Sequence, residues 1–324
     1  MSSFVVQSWE TFVGIALETD GNSPYGTNAG NFTGFNGTSP NFSAFGAASP
    51  TIFLPLAGDE SMVSIPNYVD LNTADGTKYL MKYQSIANHA EGSLPLYCSP
   101  GSFTFLKQWI FDRLTVTGAT NQVRSATVWV QVGGVCRRVV GVKVNTAEFN
   151  ITKGQAMNLN LGCYGYGEHI VSNISFSAPS WWYDAVYAGD TVTVQVDGSE
   201  HTQMDTVRWT INNLLDDDPH RLWSSNYPRQ LLTRGREVTG GFDADFQGSA
   251  EYDKFLRGAS ATLNVALAKT VGSGSYTATF AFPKLRYDNL SGANATNEKQ
   301  RLIKESVDFR ALSPNVSTDE MSWS

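Results

Sequence analysis

The sequence predicts a mainly β protein: an antiparallel β-sandwich or barrel-like fold with one or two short flanking α-helices and extended arms and loops. Two observations carry this. Beyond residue 50, apolar residues alternate with small polar ones in run after run, the period-two signature of strands with one buried and one wetted face. Helical spacing appears in only two stretches, both short. The 324 residues suffice for one large β domain with its own core. Charged residues make up only 16%, below the usual ~25%, so the surface must lean on Ser, Thr, Asn and Gly.

Residues 1–50 read as an N-terminal strand followed by an arm. Over residues 20–50, Gly, Asn, Ser and Thr dominate, with Tyr25, Phe32, Phe35, Phe42 and Phe45 spaced through them. Such a segment cannot hold a core of its own. It is either a long surface loop or an arm that orders against a neighbouring subunit.

Residues 51–324 read as the β-sandwich core. Ser102 is the expected cap of a first helix, after the turn Ser99-Pro100-Gly101, with Leu106, Trp109 and Ile110 on one face. Ala126, Val128, Val130 and Val132 then alternate with Ser125, Thr127, Trp129 and Gln131. Gly133-Gly134 makes a two-residue hairpin turn into a return strand that runs to Val144. The alternation recurs at Met157-Leu159-Leu161, Val192-Val194-Val196, Phe242-Ala244-Phe246, Ala261-Leu263-Val265-Leu267, Tyr276-Ala278-Phe280-Phe282 and over residues 303–311. Ser249 is the expected cap of a second helix carrying Tyr252, Phe255 and Leu256, closed by Gly258.

Residues 212–236 form the longest stretch without periodicity. It opens on Asp216, Asp217 and Asp218, then carries Arg221, Arg229, Arg234 and Arg236 with no acid before Glu237. A long loop inside a compact domain is usually functional, and this one is polarised in charge.

Chemistry is sparse. A net charge of −7 argues against a protein that binds nucleic acid by neutralising phosphates. Cys98, Cys136 and Cys163 are too widely spaced for a CxxC pair or a disulfide framework and read as buried thiols. His89, His169, His201 and His220 stand outside any zinc-binding spacing. Asp216, Asp217 and Asp218 lack the alternate spacing of a calcium loop and read as a solvated acidic loop. Asp243 and Asp245, at i and i+2 of one strand, point the same way rather than facing each other across a sugar bond. Trp181-Trp182-Tyr183 suggests a sugar-stacking platform but is more simply packed beneath a loop. No catalytic constellation, cofactor motif or metal site is therefore expected. No apolar stretch approaches the roughly 18 residues of a membrane span, and the opening residues lack the basic and apolar regions of a signal peptide, so synthesis in a cytoplasm is expected.

Several segments, in order, carry a family likeness. Gly14-Ile15-Ala16-Leu17-Glu18-Thr19 is followed by Tyr25-Gly26-Thr27. A strand ending in Leu96 leads into the helix around Ser102, and residues 141–162 hold Gly-x-Lys-Val and a later alternation. Arg236-Glu237-Val238-Thr239-Gly240 precedes the helix at Ser249, and Phe282-Pro283-Lys284 and Val307-Asp308-Phe309-Arg310-Ala311 close the pattern. From about Gly14 to Ala311 the chain resembles the major tail tube proteins of long-tailed bacteriophages. The resemblance implies a structural virion protein with no enzymatic activity. It implies hexameric rings that stack into a tail tube, assembled in the host cytoplasm. The implied partners are further copies of the chain, the tape-measure protein within the tube, and tail terminator and distal tail or baseplate proteins at its ends. DNA would pass through the lumen without specific binding.

On that reading Asp243 and Asp245 are expected to face the lumen. Asp216, Asp217 and Asp218 of one subunit are expected to meet Arg229, Arg234 or Arg236 of a neighbour. The competing reading is another phage virion β protein, a capsid decoration or a receptor-binding module that uses Trp181 and Trp182 on host glycan.

Overall fold

The computed structural model describes residues 11–19, 23–24, 46–54, 56–71, 82–116, 119–132, 134–172, 186–189, 191–216, 231–246, 249–291, 304–315 and 319–324. In chain order the first elements are β1 (Thr11–Leu17), β2 (Ile52–Leu54), β3 (Val63–Leu71), β4 (Lys82–Tyr97), α1 (Pro100–Ile110), β5 (Arg113–Val116) and β6 (Ala119–Val123). They are followed by β7 (Ala126–Val132), β8 (Val135–Thr152), β9 (Asn158–Gly165), β10 (Gly167–Val171), β11 (Val192–Val196), β12 (Ser199–Glu200) and β13 (Met204–Asn212). The last are β14 (Glu237–Asp245), α2 (Ala250–Arg257), β15 (Ala261–Val271), β16 (Gly274–Ser291), β17 (Lys304–Ala311) and β18 (Ser322–Trp323). The chain is mainly β, and every strand pairing among the described residues is antiparallel, as the alternating pattern predicts.

Among the described residues sixteen strands join one sheet, with the main order β12-β11-β15-β16-β17-β14-β13-β8-β7-β1-β2. Three long strands make this possible by changing partner midway. β4 pairs with β3 over its first half and with β9 over its second. β16 pairs with β15 first and β17 later, with a register shift between Tyr287 and Asn289. β8 pairs with β7 and β10 up to Val142, then with β9 and β13 out to Thr152. It bends at Gly141, whose φ of +67° suits a residue without a Cβ. The return strand expected to stop at Val144 thus continues to Thr152. Its middle is buried on both sides, which hides the alternation there.

The sheet curls round one aromatic core. Phe149 of β8 stacks on Trp209 of β13 with ring centroids 4.9 Å apart, and both meet Phe280 of β16, at 5.4 and 4.6 Å. β8 and β16 are separated by three strands in the sheet order, so this contact can form only because the sheet folds back on itself. Phe242, Phe282, Phe309, Val207, Ile211 and Val265 fill the same interior. Burying aromatic rings of this size adds a large driving force for closure to that of the aliphatic side chains around them.

Helix α1 plugs the core with Phe103, Leu106, Trp109 and Ile110, and the Trp109 indole donates to the Val142 carbonyl at 3.1 Å. Its cap is Ser99 rather than Ser102. Ser102 sits at the third helical position and closes a capping box back to Ser99. Helix α2 starts after Ser249 and ends at Gly258 in the left-handed region, as the sequence predicts. It buries no residue fully and is tied down by Tyr287, which donates to Glu251 at 2.5 Å, and by Lys254, which pairs with Asp197 at 2.7 Å. β14 ends at Asp245, so Phe246 does not extend its apolar face and stands partly exposed.

Gly240 pairs with Trp209 on one side and Phe309 on the other. A Cβ there would come within 2.5 Å of both the Arg208 carbonyl and the Phe309 ring. Gly240→Ala is expected to cost about 1–3 kcal/mol of stability by overpacking. Asn160→Ala, exposed on the opposite face, should change stability by less than about 0.5 kcal/mol. Urea unfolding of the two variants checks this, and a neutral Gly240→Ala would show that the β13-β14-β17 register is looser than described.

Candidate functional site

Because the core takes every second residue, the other face of the sheet is left to the alternate positions, and in the middle of the sheet order these are polar. Over residues 158–160 of β9, 146–152 of β8, 206–212 of β13, 237–245 of β14 and 304–310 of β17, the outward positions are Asn158, Asn160, Thr146, Glu148, Asn150, Thr152, Thr206, Arg208, Thr210, Asn212, Glu237, Thr239, Gly241, Asp243, Asp245, Lys304, Ser306, Asp308 and Arg310. Not one of these is apolar. Asp243 and Asp245 stand here, opposite the buried Phe242 and Ala244.

The cations of this face are held between carboxylates. Arg208 contacts Asp243 at 3.4 Å and Asp308 at 3.1 Å. Lys304 lies 2.5 Å from both Asp205 and Asp245, and hydrogen bonds to these two raise its pKa. Arg310 contacts Glu237 at 3.1 Å and Asp288 at 3.4 Å. Apart from Asp245, whose side chain is only 18% exposed, these groups are largely open to solvent, and such pairs are individually weak. Their joint effect is a field in which acids outnumber bases and each of these three cations already has two anionic neighbours. Such a surface offers a phosphate backbone little to bind.

The polarised loop closes partly on its own chain. Leu215 bridges to Thr233, and the Asp216 and Arg234 amides donate to the Leu232 and Leu214 carbonyls. Asp216 is buried and accepts from Arg234 at 2.5 Å, so this pair of opposite charges is made within a single chain. Arg236 points inward with its side chain only 4% exposed. It lies 3.9 Å over the Phe111 ring and donates to the Phe111 carbonyl at 2.5 Å. Arg234 remains largely exposed. Asp217, Asp218 and Arg229 lie outside the described residues, as do Trp181, Trp182 and most of residues 20–50.

A buried polar junction escapes the sequence reading. Glu18, at the end of β1, accepts from the Thr127 hydroxyl and the Gly141 amide, each at 2.8 Å. It thereby pins β1 and β7 to the bend of β8. Burial pushes its carboxyl above the usual carboxylate range. Lys143, two residues past the bend, is also buried and donates to the Leu231 carbonyl at 2.7 Å. Burial lowers its pKa to about 8, with Glu18 opposing the shift and Arg113 adding to it. The signal available in sequence was a charged residue closing an apolar run at Glu18, and Lys143 inside another, between Val142 and Val144.

The three thiols are buried, with no disulfide between them, and burial raises Cys98 to about 12. Among the described residues, no group of three or more His, Cys, Asp or Glu side chains is arranged to hold a metal ion. No helix among them is long and apolar enough to cross a membrane.

Lys143 gives the fold a measurable pH dependence. Between about 8 and 10.5 the unfolded chain holds the proton that the folded chain has released, so the contribution of Lys143 to stability rises with pH across that window. The buried thiols Cys98 and Cys163, raised by burial, pull the other way above about 9. The urea midpoint of the natural chain should therefore gain steadily on that of Lys143→Met across the window. The thiols are common to both chains, so this relative rise isolates the lysine. Equal slopes for the two chains would remove Lys143 as its source.

A search of curated proteins returns no match to this chain. The family model described as "Phage tail tube protein" matches residues 8–311, from before β1 to the end of β17. That span takes in every described strand of the curled sheet except β18, together with its polar face, and the chain belongs to the phage tail tube protein family.

Proposed function

We propose that the chain closes into hexameric rings that stack head to tail into a tail tube, with the polar face of β9, β8, β13, β14 and β17 turned to the channel. Membership of the family makes it a structural component of a virion tail. The observation that carries the finer reading is the absence of apolar side chains at the outward positions of residues 158–160, 146–152, 206–212, 237–245 and 304–310 of these strands. A wall past which DNA must slide needs a wetted surface whose cations are already neutralised, and Arg208, Lys304 and Arg310 satisfy that requirement. Asp243 and Asp245 then face the lumen. Head-to-tail contacts that close make rings, and unclosed contacts between ring faces make filaments.

In this reading the tube encloses a tape-measure protein before ejection and conducts DNA during it. Its ends meet terminator and distal tail or baseplate proteins, and it is built in the host cytoplasm. The chain works through its surfaces rather than through catalysis or a cofactor. Negative-stain microscopy of the purified chain tests the assembly: hollow tubes with a ring repeat are expected. Dispersed monomers, or compact trimers that bind glycan, would contradict it and favour a decoration or receptor-binding role.

The loop over residues 212–236 is proposed as part of the contact between copies, its charged groups being the exposed Arg234 and, in the sequence, Asp217 and Asp218. Opposed charge patterns set register and association rate more than affinity. Reversing Asp217 and Asp218 to Lys should slow tube growth and invert its salt dependence, as followed by light scattering. Unchanged growth would remove the loop from the contact.

A further inference from the structure

The last residues of the sequence sit in a groove shaped to receive a strand. β17 leaves β16 at the pair Leu285–Ala311, after which Leu312 makes one more bond to Lys284. Beyond that point the edge of β16 is taken over by β18, with Phe280 opposite Trp323 and Ala281 opposite Ser322. Thr279 and Ser324 exchange both backbone hydrogen bonds, at 2.8 and 3.0 Å. The ladder is only two residues long, yet Trp323 is 2% exposed. Its ring meets Phe280, Phe103 and Phe149 at 5.1, 5.2 and 5.4 Å.

The rim of the groove is cationic. Arg236 contacts Asp319 at 3.9 Å, and the charges of Asp319 and Glu320 act on both Arg236 and Arg113. The docked segment therefore carries three complementary features in order: two acids for the guanidinium pair, a backbone for the open edge of β16, and an indole for the aromatic pocket. This is strand addition with a side-chain anchor, a mode normally used to bind a peptide from another chain. Residues 312–315 and 319–321, which lead to it, are neither helix nor strand.

We propose that this groove is a strand-acceptor site for an acidic, Trp-bearing segment, and that it takes residues 319–324 from a second copy of the chain as well as from its own. Exchange between copies makes the same contacts as the closed monomer, so the balance is set by the connecting segment and the local concentration of neighbours. In a self-assembling chain that concentration is high. The proposal rests on the groove itself and does not depend on ring number or on which face lines a channel.

The test uses the full-length chain carrying Trp323→Ala, which empties the pocket, and a fluorescently labelled peptide of residues 313–324. Saturable binding is expected by anisotropy, at least about tenfold tighter than to the natural chain, whose own segment competes. A peptide with Ala in place of the tryptophan should not bind, and one with Lys at both acidic positions should bind weakly. A folded Trp323→Ala chain that ignores the peptide would overturn the proposal. Should that variant fail to fold, hydrogen exchange on the natural chain decides. The Thr279 and Ser324 amides should exchange through a local opening, faster than that of Val265 in β15. Exchange of all three at one rate would overturn it. Tubes that form from chains lacking peptide binding would sink this inference alone, and binding without tubes would sink the assembly reading alone.

Discussion

The contact of Phe149 and Trp209 with Phe280 is the constraint on which the rest of the molecule depends. It joins strands that lie far apart in the sheet order, and so converts a broad antiparallel sheet into a curled one with a dry interior. Once these rings are inside, the two-residue repeat of a strand leaves no freedom for their neighbours. Thr206, Arg208 and Thr210 must face outward because Val207, Trp209 and Ile211 face inward. The same logic sets Asp243 and Asp245 opposite Phe242 and Ala244. The chemistry of the outer face follows directly from the packing of the inner one.

The second constraint is how the sheet turns its corner. β8 serves two partner sets because it bends at Gly141, and the amide at that bend is satisfied by the buried Glu18 carboxylate. A buried acid is costly unless hydrogen-bonded, and here it accepts from Thr127 and Gly141 together. That gives a physical reason for Glu18 in the opening segment, which the family likeness only marked as part of a shared pattern. Gly240 has an equivalent explanation, since its missing Cβ makes room for Phe309.

Much of the second half of the fold was legible in the sequence, because strands with one wet face alternate openly. The runs at 192–196, 261–267, 276–282 and 303–311, and the helix closed by Gly258, fall where the pattern placed them. β13 carries an equally clear alternation around Trp209 that a stricter count would have found. The middle of β8 was less legible, since burial on both sides removes the polar partner from the pattern. The β3–β4 hairpin was missed because its backbone ladder, and not an apolar periodicity, defines it. Charge runs were the least legible. Nothing in a sequence says whether Asp216 will meet an arginine of its own chain, and here it meets Arg234. Arg236, grouped with the loop by its charge, belongs instead to the interior beside Phe111.

What unites these features is a division of labour between two faces of one sheet, an aromatic interior that holds the subunit and a polar exterior whose cations are shared between acids. A density map of tubes assembled from the purified chain tests this most directly, because it assigns each sheet face to the channel or to the outside. Asp243, Asp245 and Asn150 should line the channel wall, with the α1 and α2 side of the subunit turned away from the axis. A map in which the helices face the channel and these residues lie on the outer surface would contradict the central claim.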